Sequence, residues 1–448
     1  MIWLRGNLAR CLCVLWASCG LCVSWAGERV VITERGAVGD AHTLNTTTIQ
    51  SVIDGCASKG GGEVIVPRGI FVTGSIFLKQ GVNLVIEKDG VLKGSQNTND
   101  YPWINTRIAG LEMKWPAALV NADGLGDVRI LGDGVIDGSG ERWWREYWDA
   151  RAKETNKVDP HFKIPRPRLV HLMNCTNVFV GGLTLKDSAF WNLQLTYCDQ
   201  VEVRRVTVRA PLKPIKAASS DGIDVDSSRN VLIASCDIEC GDDAICLKAG
   251  RDADGLRVNR ATENVEIVNC RVGNAAGLVV LGSETAGGIR HVRVRDCRAD
   301  VGCEEIVRFK TRVGRGGVVE DVIYENITAT GTARVFSFNM DAFSSMWIPE
   351  EFRAPVAPDK ATPVFRNITV RNLTARHCDS AGSLIGLSES PLRNLTLQNV
   401  DIEAGNAFTV RNATGLKFNN VKVNGKQIPS PADTLSEKNN NRSAKSGG

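Results

Sequence analysis

The chain has 448 residues, of which 43% are hydrophobic, 23% charged and only 6% aromatic, with 44 glycines and a net charge of +4. This mix excludes a disordered chain and a helical membrane bundle, and so mild a charge, with no basic run, excludes nucleic acid as a partner. The glycines, with frequent Asn, Val, Thr and Asp, point to β-structure joined by tight turns.

In chain order, the first segment carries Arg5 and Arg10, then an acid-free apolar stretch from Cys11 to Trp25, closing on Ser24-Trp25-Ala26. Small residues stand at the two positions a signal peptidase reads. Met1–Ala26 is therefore expected to be a secretory signal cleaved after Ala26, leaving a secreted or periplasmic protein without stable membrane insertion. Cys19 and Cys22 keep a lipoprotein open. Four of the 14 cysteines fall here. Most of the remaining ten sit in apolar strand patterns and are expected to pack as small hydrophobes.

Next, Ile49, Val52, Ile53 and Cys56 follow the i, i+3, i+4, i+7 pattern of one amphipathic helix, ended by Gly60-Gly61-Gly62. From there the chain repeats: a polar residue, a Val-x-Ile-type strand, a polar turn. Asn177, Gln200, Asn230, Asn264, His291, Asp321, Asn367 and Asn394 open successive units, at steps of 23, 30, 34, 27, 30, 46 and 27 residues. A β-alternating period in this range predicts an all-β solenoid, a parallel β-helix in which each coil buries its apolar face on its neighbours. The opening helix would cap one end, and loops of unequal length would build a groove on one side. One domain over 27–428 is expected, with a polar, disordered tail over 429–448.

Two acidic segments stand out, Ser219-Ser220-Asp221-Gly222 and Gly241-Asp242-Asp243. Asp221 and Asp242 are 21 residues apart, close to one short coil, and stacked coils lie about 4.8 Å apart. The three aspartates would therefore cluster on one wall, where like charge makes one carboxyl keep its proton to higher pH. An acid beside ionised carboxylates is what glycosidic hydrolysis needs. Turn aspartates or a calcium site are the alternatives. About two coils on, Arg308-Phe309-Lys310 alternates as a strand, so Arg308 and Lys310 share a face suited to a carboxylated substrate. A solvated outer pair is the alternative. Trp143, Trp144, Tyr147 and Trp148 form either a sugar-stacking platform or packing on the solenoid flank. Asn97–Trp115 reads as a loop closing one end of the groove, which favours exo-action.

These motifs, in this order and spacing, resemble the pattern N-T-D, G-D-D, G-H-G, R-I-K of glycoside hydrolase family 28, the polygalacturonases, and in particular its bacterial exo-type branch. The resemblance extends from about Gly36 to Val423. It implies a right-handed parallel β-helix and inverting hydrolysis of pectic polysaccharide or oligosaccharide without metal or other cofactor; a monomer is expected. By position, Asp242 would be the general acid, Asp221 and Asp243 would activate water, and Arg308 and Lys310 would hold a uronate carboxylate on the leaving-group side. The family's His falls at Ala276 or Gly277, a departure shared by members acting on rhamnogalacturonan, so a rhamnogalacturonan-directed hydrolase is the second reading. A Ca-dependent lyase and a non-catalytic carbohydrate-binding β-helix are the remaining ones.

Overall fold

The computed structural model describes residues 27–155, 159–341 and 356–434. The segment Met1–Ala26 and residues 435–448 lie outside them. No helix among the described residues is long and apolar enough to cross a membrane.

The residues that open each repeat share one backbone conformation. Asn177, Gln200, Asn230, Asn264, His291, Asp321, Asn367 and Asn394 all have φ between 51° and 58°. That left-handed region is costly for most side chains and least so for Asn and Asp, which is why Asn recurs. Each of these residues turns the chain into the next strand, and the residue that follows it points inward. Val178, Val201, Val231, Val265, Val292, Val322, Ile368 and Leu395 lie in one continuous parallel register. All eight are buried. Outside, the turn asparagines stack: Asn264 donates to Asn230 at 3.1 Å and Asn394 to Asn367 at 3.1 Å. Amide ladders of this kind reinforce stacked strands.

The fold that results is a parallel β-helix. A typical coil comprises Val170–Met173, Thr176–Gly181 and Thr184–Lys186. It stacks on Leu193–Thr196, Asp199–Arg204 and Thr207–Arg209, and these in turn on Ile223–Asp226, Arg229–Ala234 and Asp237–Glu239. One apolar core runs along the axis from Val30 to Val423. The ten cysteines of the described residues are all buried and unpaired, Cys175, Cys198, Cys270 and Cys297 among them.

The expected capping helix is present as α1, Thr46–Ser58, with Ile49, Val52, Ile53 and Cys56 buried. The side chain of Gln50 ties it to the first coils through both the carbonyl and the amide of Phe77, at 3.0 and 2.8 Å. At the other end, the first residues of the expected tail are held in place. Ser430 accepts from the Phe418 amide at 2.8 Å, and Thr434 pairs with Ala413 in an antiparallel bridge. The chain after Val423 thus folds back over the last coil before residue 435.

Two of the insertions between coils fall on segments singled out in the sequence. Asn97–Trp115 is not an irregular loop: it contains an antiparallel hairpin of Trp103–Ile108 and Leu111–Pro116. The aromatic run after Gly140 is a helix, α2, Glu141–Lys153, with Trp143, Trp144 and Tyr147 buried. Trp143 and Trp144 join the main core, so α2 packs on the flank of the solenoid. Trp148 remains partly exposed, its indole N–H donating to the Lys216 carbonyl at 2.8 Å.

Candidate active site

The strand column that includes Val170–Met173 continues through Leu193–Thr196, Ile223–Asp226, Asp243–Lys248, Gly277–Leu281 and Glu305–Lys310. Its register decides which side chains meet. Ile223 pairs with Ile245, so the residue beside Asp221 on the next coil is Asp243, not Asp242 as the 21-residue spacing implied. The coil is one residue longer than the motif spacing. Asp242 sits one place earlier, at the turn, and is the more exposed of the three. Even so, carboxylate oxygens of Asp221, Asp242 and Asp243 all lie within 4.8 Å of one another.

The two acidic turns are locked together by short residues. The Ser220 hydroxyl donates to the Ala217 carbonyl at 2.9 Å and accepts from the Gly241 amide at 2.8 Å. A Cβ on Gly241 would stand 2.2 Å from the Ala217 oxygen, so only glycine allows this approach. Arg166 braces the same turn from behind, donating to the Ala218 carbonyl at 2.7 Å, and its guanidinium lies 4.6 Å from the ring centres of both Tyr147 and Phe190. Of the α2 aromatics, Tyr147 therefore acts on the site through Arg166; none of them lines the pocket.

Arg308 and Lys310 share a face, as the alternation predicted, two coils beyond Asp243. Both are already engaged. Arg308 donates to Asp243 at 3.0 Å and pairs with Glu305 at 2.7 Å, and the Lys310 ammonium is 2.6 Å from Asp243. Burial by itself would raise the Asp243 carboxyl, but Lys310, Arg308 and Lys248 outweigh it and hold the group at about 2. Asp242 goes the other way: burial and the Asp243 charge raise it above the usual carboxylate range, against the pull of Lys310 and Arg308. Asp221 is raised further, well above that range, by burial, Asp224 and Asp242, with Lys248 opposing. Burial and like charge thus raise Asp221 and Asp242 while the cations lower Asp243, which spreads the proton affinities of three carboxyls on one wall as acid–base chemistry requires.

Several residues of the site escaped the sequence reading. Lys248 is buried, with its ammonium 3.6 Å from Asp221, 3.5 Å from Asp224 and 3.5 Å from Glu284. Its signal was a lone lysine closing the otherwise apolar run Ala244–Leu247. Glu284 is also paired with Arg315 at 3.2 Å, and despite burial its cations Lys248, Arg315 and Arg251 keep it ionised well below the usual range. Asp224 is completely buried and pushed up to about 8 by burial, Asp243 and Glu284 against the pull of Lys248. Because the folded state holds this proton and the unfolded carboxyl, near 4, does not, Asp224 costs stability increasingly as pH rises between those values. Asp224→Asn is therefore expected to raise the thermal midpoint at pH 7.5 and to leave it nearly unchanged at about pH 4. Equal shifts at both pH values would contradict the assignment.

The wall on the N-terminal side of the acids is aromatic. Trp191, one coil before Asp221, lines the pocket with His161, Asp159 and Ala109, the hairpin tip. Behind them Ile108, Leu111, Trp115, Phe162, Phe190 and Trp191 form a second apolar cluster. The hairpin is anchored over the site by the Arg251 amide, which donates to the Gly110 carbonyl at 3.2 Å. The pocket enclosed in this way holds about 180 Å³. Of the two positions expected for the family's His, Ala276 lines the pocket, and its amide donates to the Asp242 carbonyl at 2.8 Å. A Cβ on Gly277 would come within 2.5 Å of Val280 and 3.4 Å of the Arg308 side chain.

The family model of the glycosyl hydrolases family 28 matches residues 56–424. A probable polygalacturonase of Vitis vinifera is 30% identical over 394 residues, covering 85% of this chain and 75% of that one. An exo-poly-alpha-D-galacturonosidase of Dickeya chrysanthemi is 26% identical over 395 residues, which span 79% of this chain and 62% of the relative. Among solved structures, a hyperthermoactive exopolygalacturonase from Thermotoga maritima superposes with a TM-score of 0.77 at 27% identity, covering 90% of this chain and 93% of the other.

Proposed function

The chain belongs to the glycosyl hydrolases of family 28 and is a polygalacturonase-like glycoside hydrolase acting on O-glycosyl bonds, and from that premise we propose that it is a secreted enzyme releasing sugars from the ends of galacturonate-containing chains. The observation that carries this reading is the gathering of Asp221, Asp242 and Asp243 within 4.8 Å, beside a pair of cations on the same wall.

In this mechanism Asp242 protonates the leaving oxygen. Burial and the Asp243 charge raise its carboxyl above the usual carboxylate range, which favours the protonated form at the pocket surface. Asp243, ionised, and Asp221 orient and deprotonate the attacking water. Arg308 and Lys310 face a uronate carboxylate on the leaving-group side, exchanging part of their hold on Asp243 for the substrate. Exo-action is supported by the hairpin of Trp103–Pro116, whose tip at Ala109 and Gly110 closes the N-terminal side of the pocket. Inversion is the family's stereochemistry. The carboxylates here are closer than the roughly 6.5–9.5 Å of a two-carboxylate inverting pair, so the water is held among three groups rather than between two. Proton NMR of the first product is expected to show the inverted anomer, and a retained one would overturn this step.

Ala276 in place of the family's His favours one second reading, a hydrolase directed to rhamnogalacturonan. The deciding experiment incubates the protein, without added metal, with saturated oligogalacturonides and separately with rhamnogalacturonan oligosaccharides. Free galacturonic acid from the first is the expected result. Cleavage of the second alone would establish the other reading, and an unsaturated product would indicate a lyase.

A further inference from the structure

The proposed mechanism needs Asp221 ionised while water is activated, yet its surroundings oppose that charge. Asp224 on its own strand and Asp242 and Asp243 on the next coil all face it, and it is buried. Arg166 acts on it only at a distance, with its guanidinium committed to the Ala218 and Ala189 carbonyls. Among the described residues, the one cation within ion-pair reach of Asp221 is Lys248, at 3.6 Å.

Lys248 is held for this task. It closes the strand Asp243–Lys248, is itself buried, and its ammonium stands 4.9 Å from the centre of the Trp191 ring. It is shared among three carboxylates. Glu284 has its own second partner in Arg315 at 3.2 Å. Asp224 lies 3.5 Å from the ammonium without a hydrogen bond on either oxygen. Among the described residues Asp221 thus has Lys248 as its one cation in ion-pair reach, shared with Glu284 and Asp224.

We propose that Lys248 is a positioning residue for the hydrolysis, its ammonium holding Asp221 in the ionised form that takes the proton from water. This rests on the function proposed above. It assigns Lys248 no direct contact with the reacting atoms.

The test is the pH dependence of turnover of a pectic oligosaccharide by the full chain. Loss of the base's charge sets the acidic limb of kcat, so removing the cation moves that limb upward. Lys248→Met is expected to shift it up by about one pH unit and to lower kcat at about pH 5 roughly tenfold, with KM within about threefold. Glu284→Gln removes a carboxylate that shares the ammonium, and is expected to move the limb down; it decides the matter if Lys248→Met does not fold. An acidic limb unmoved in the folded variants, or a loss in Lys248→Met carried by KM alone, overturns the inference. If the wild-type chain turns over no pectic oligosaccharide, the functional reading fails and this inference with it. Turnover with an unshifted limb overturns the inference alone.

Discussion

Replacing Asp242 by asparagine is expected to lower kcat on galacturonate oligosaccharides about a thousandfold while KM stays within a few-fold. A positioned general acid contributes about 10²–10⁴ in rate, and the amide keeps the shape but cannot deliver the proton. The fold should not suffer. The Asp243 amide donates to Asp242 Oδ1 at 3.0 Å, and an asparagine oxygen accepts the same bond. The substitution also removes a carboxyl whose charge burial and the neighbouring Asp243 disfavour, so the thermal midpoint is expected to hold or rise. Reducing-end release and thermal unfolding measured on the same sample check both halves. Activity within tenfold of wild type would remove Asp242 from the acid role.

The second large effect is expected at Asp243, and there stability falls together with activity. Asp243 is fully buried and receives Arg308 at 3.0 Å and Lys310 at 2.6 Å. Deleting one member of a buried ion cluster leaves desolvated charge behind and typically costs about 3–5 kcal/mol. Asp243→Ala is expected to lose that order of stability in urea, with turnover undetectable. The pH dependence follows from the sign of the shift. The Asp243 carboxyl is held at about 2 when folded, below its unfolded value near 4. Its contribution is therefore complete above about pH 4 and disappears as pH falls toward 2. The wild type should lose stability over that window faster than Asp243→Asn. An Asp243→Ala variant as stable as wild type would mean that Arg308 and Lys310 are not held by this carboxylate.

These two aspartates also show where the sequence was legible and where it was not. The motif spacing announced a cluster of Asp221, Asp242 and Asp243, and the alternation of Arg308 and Lys310 announced a shared face. Both held, because each depends on local geometry, a coil of about twenty residues and a strand of period two. The pairing within the cluster did not hold. A coil of 22 residues, set by the partnership of Ile223 with Ile245, puts Asp243 beside Asp221 and leaves Asp242 at the turn. A single residue of register decides this, and the register is fixed by buried side chains on neighbouring coils rather than by the motif. In the same way, the cations read as free for substrate are bound to Asp243 in the structure, a contact across two coils.

The sequence alone determined the architecture and the chemical inventory. A left-handed turn residue at each repeat, an inward Val or Ile after it, and a helix with one apolar face specify a capped parallel β-helix, since these are period and propensity effects carried by the chain itself. The tertiary structure decided which acid carries charge. Lys248, Glu284 and Arg315 come from three different stretches of chain, and the hairpin of Trp103–Pro116 from a fourth, and no local pattern links them. Proton affinity in a buried site depends on every charge within several ångströms and on the water excluded around it, and those are set only when the coils have stacked.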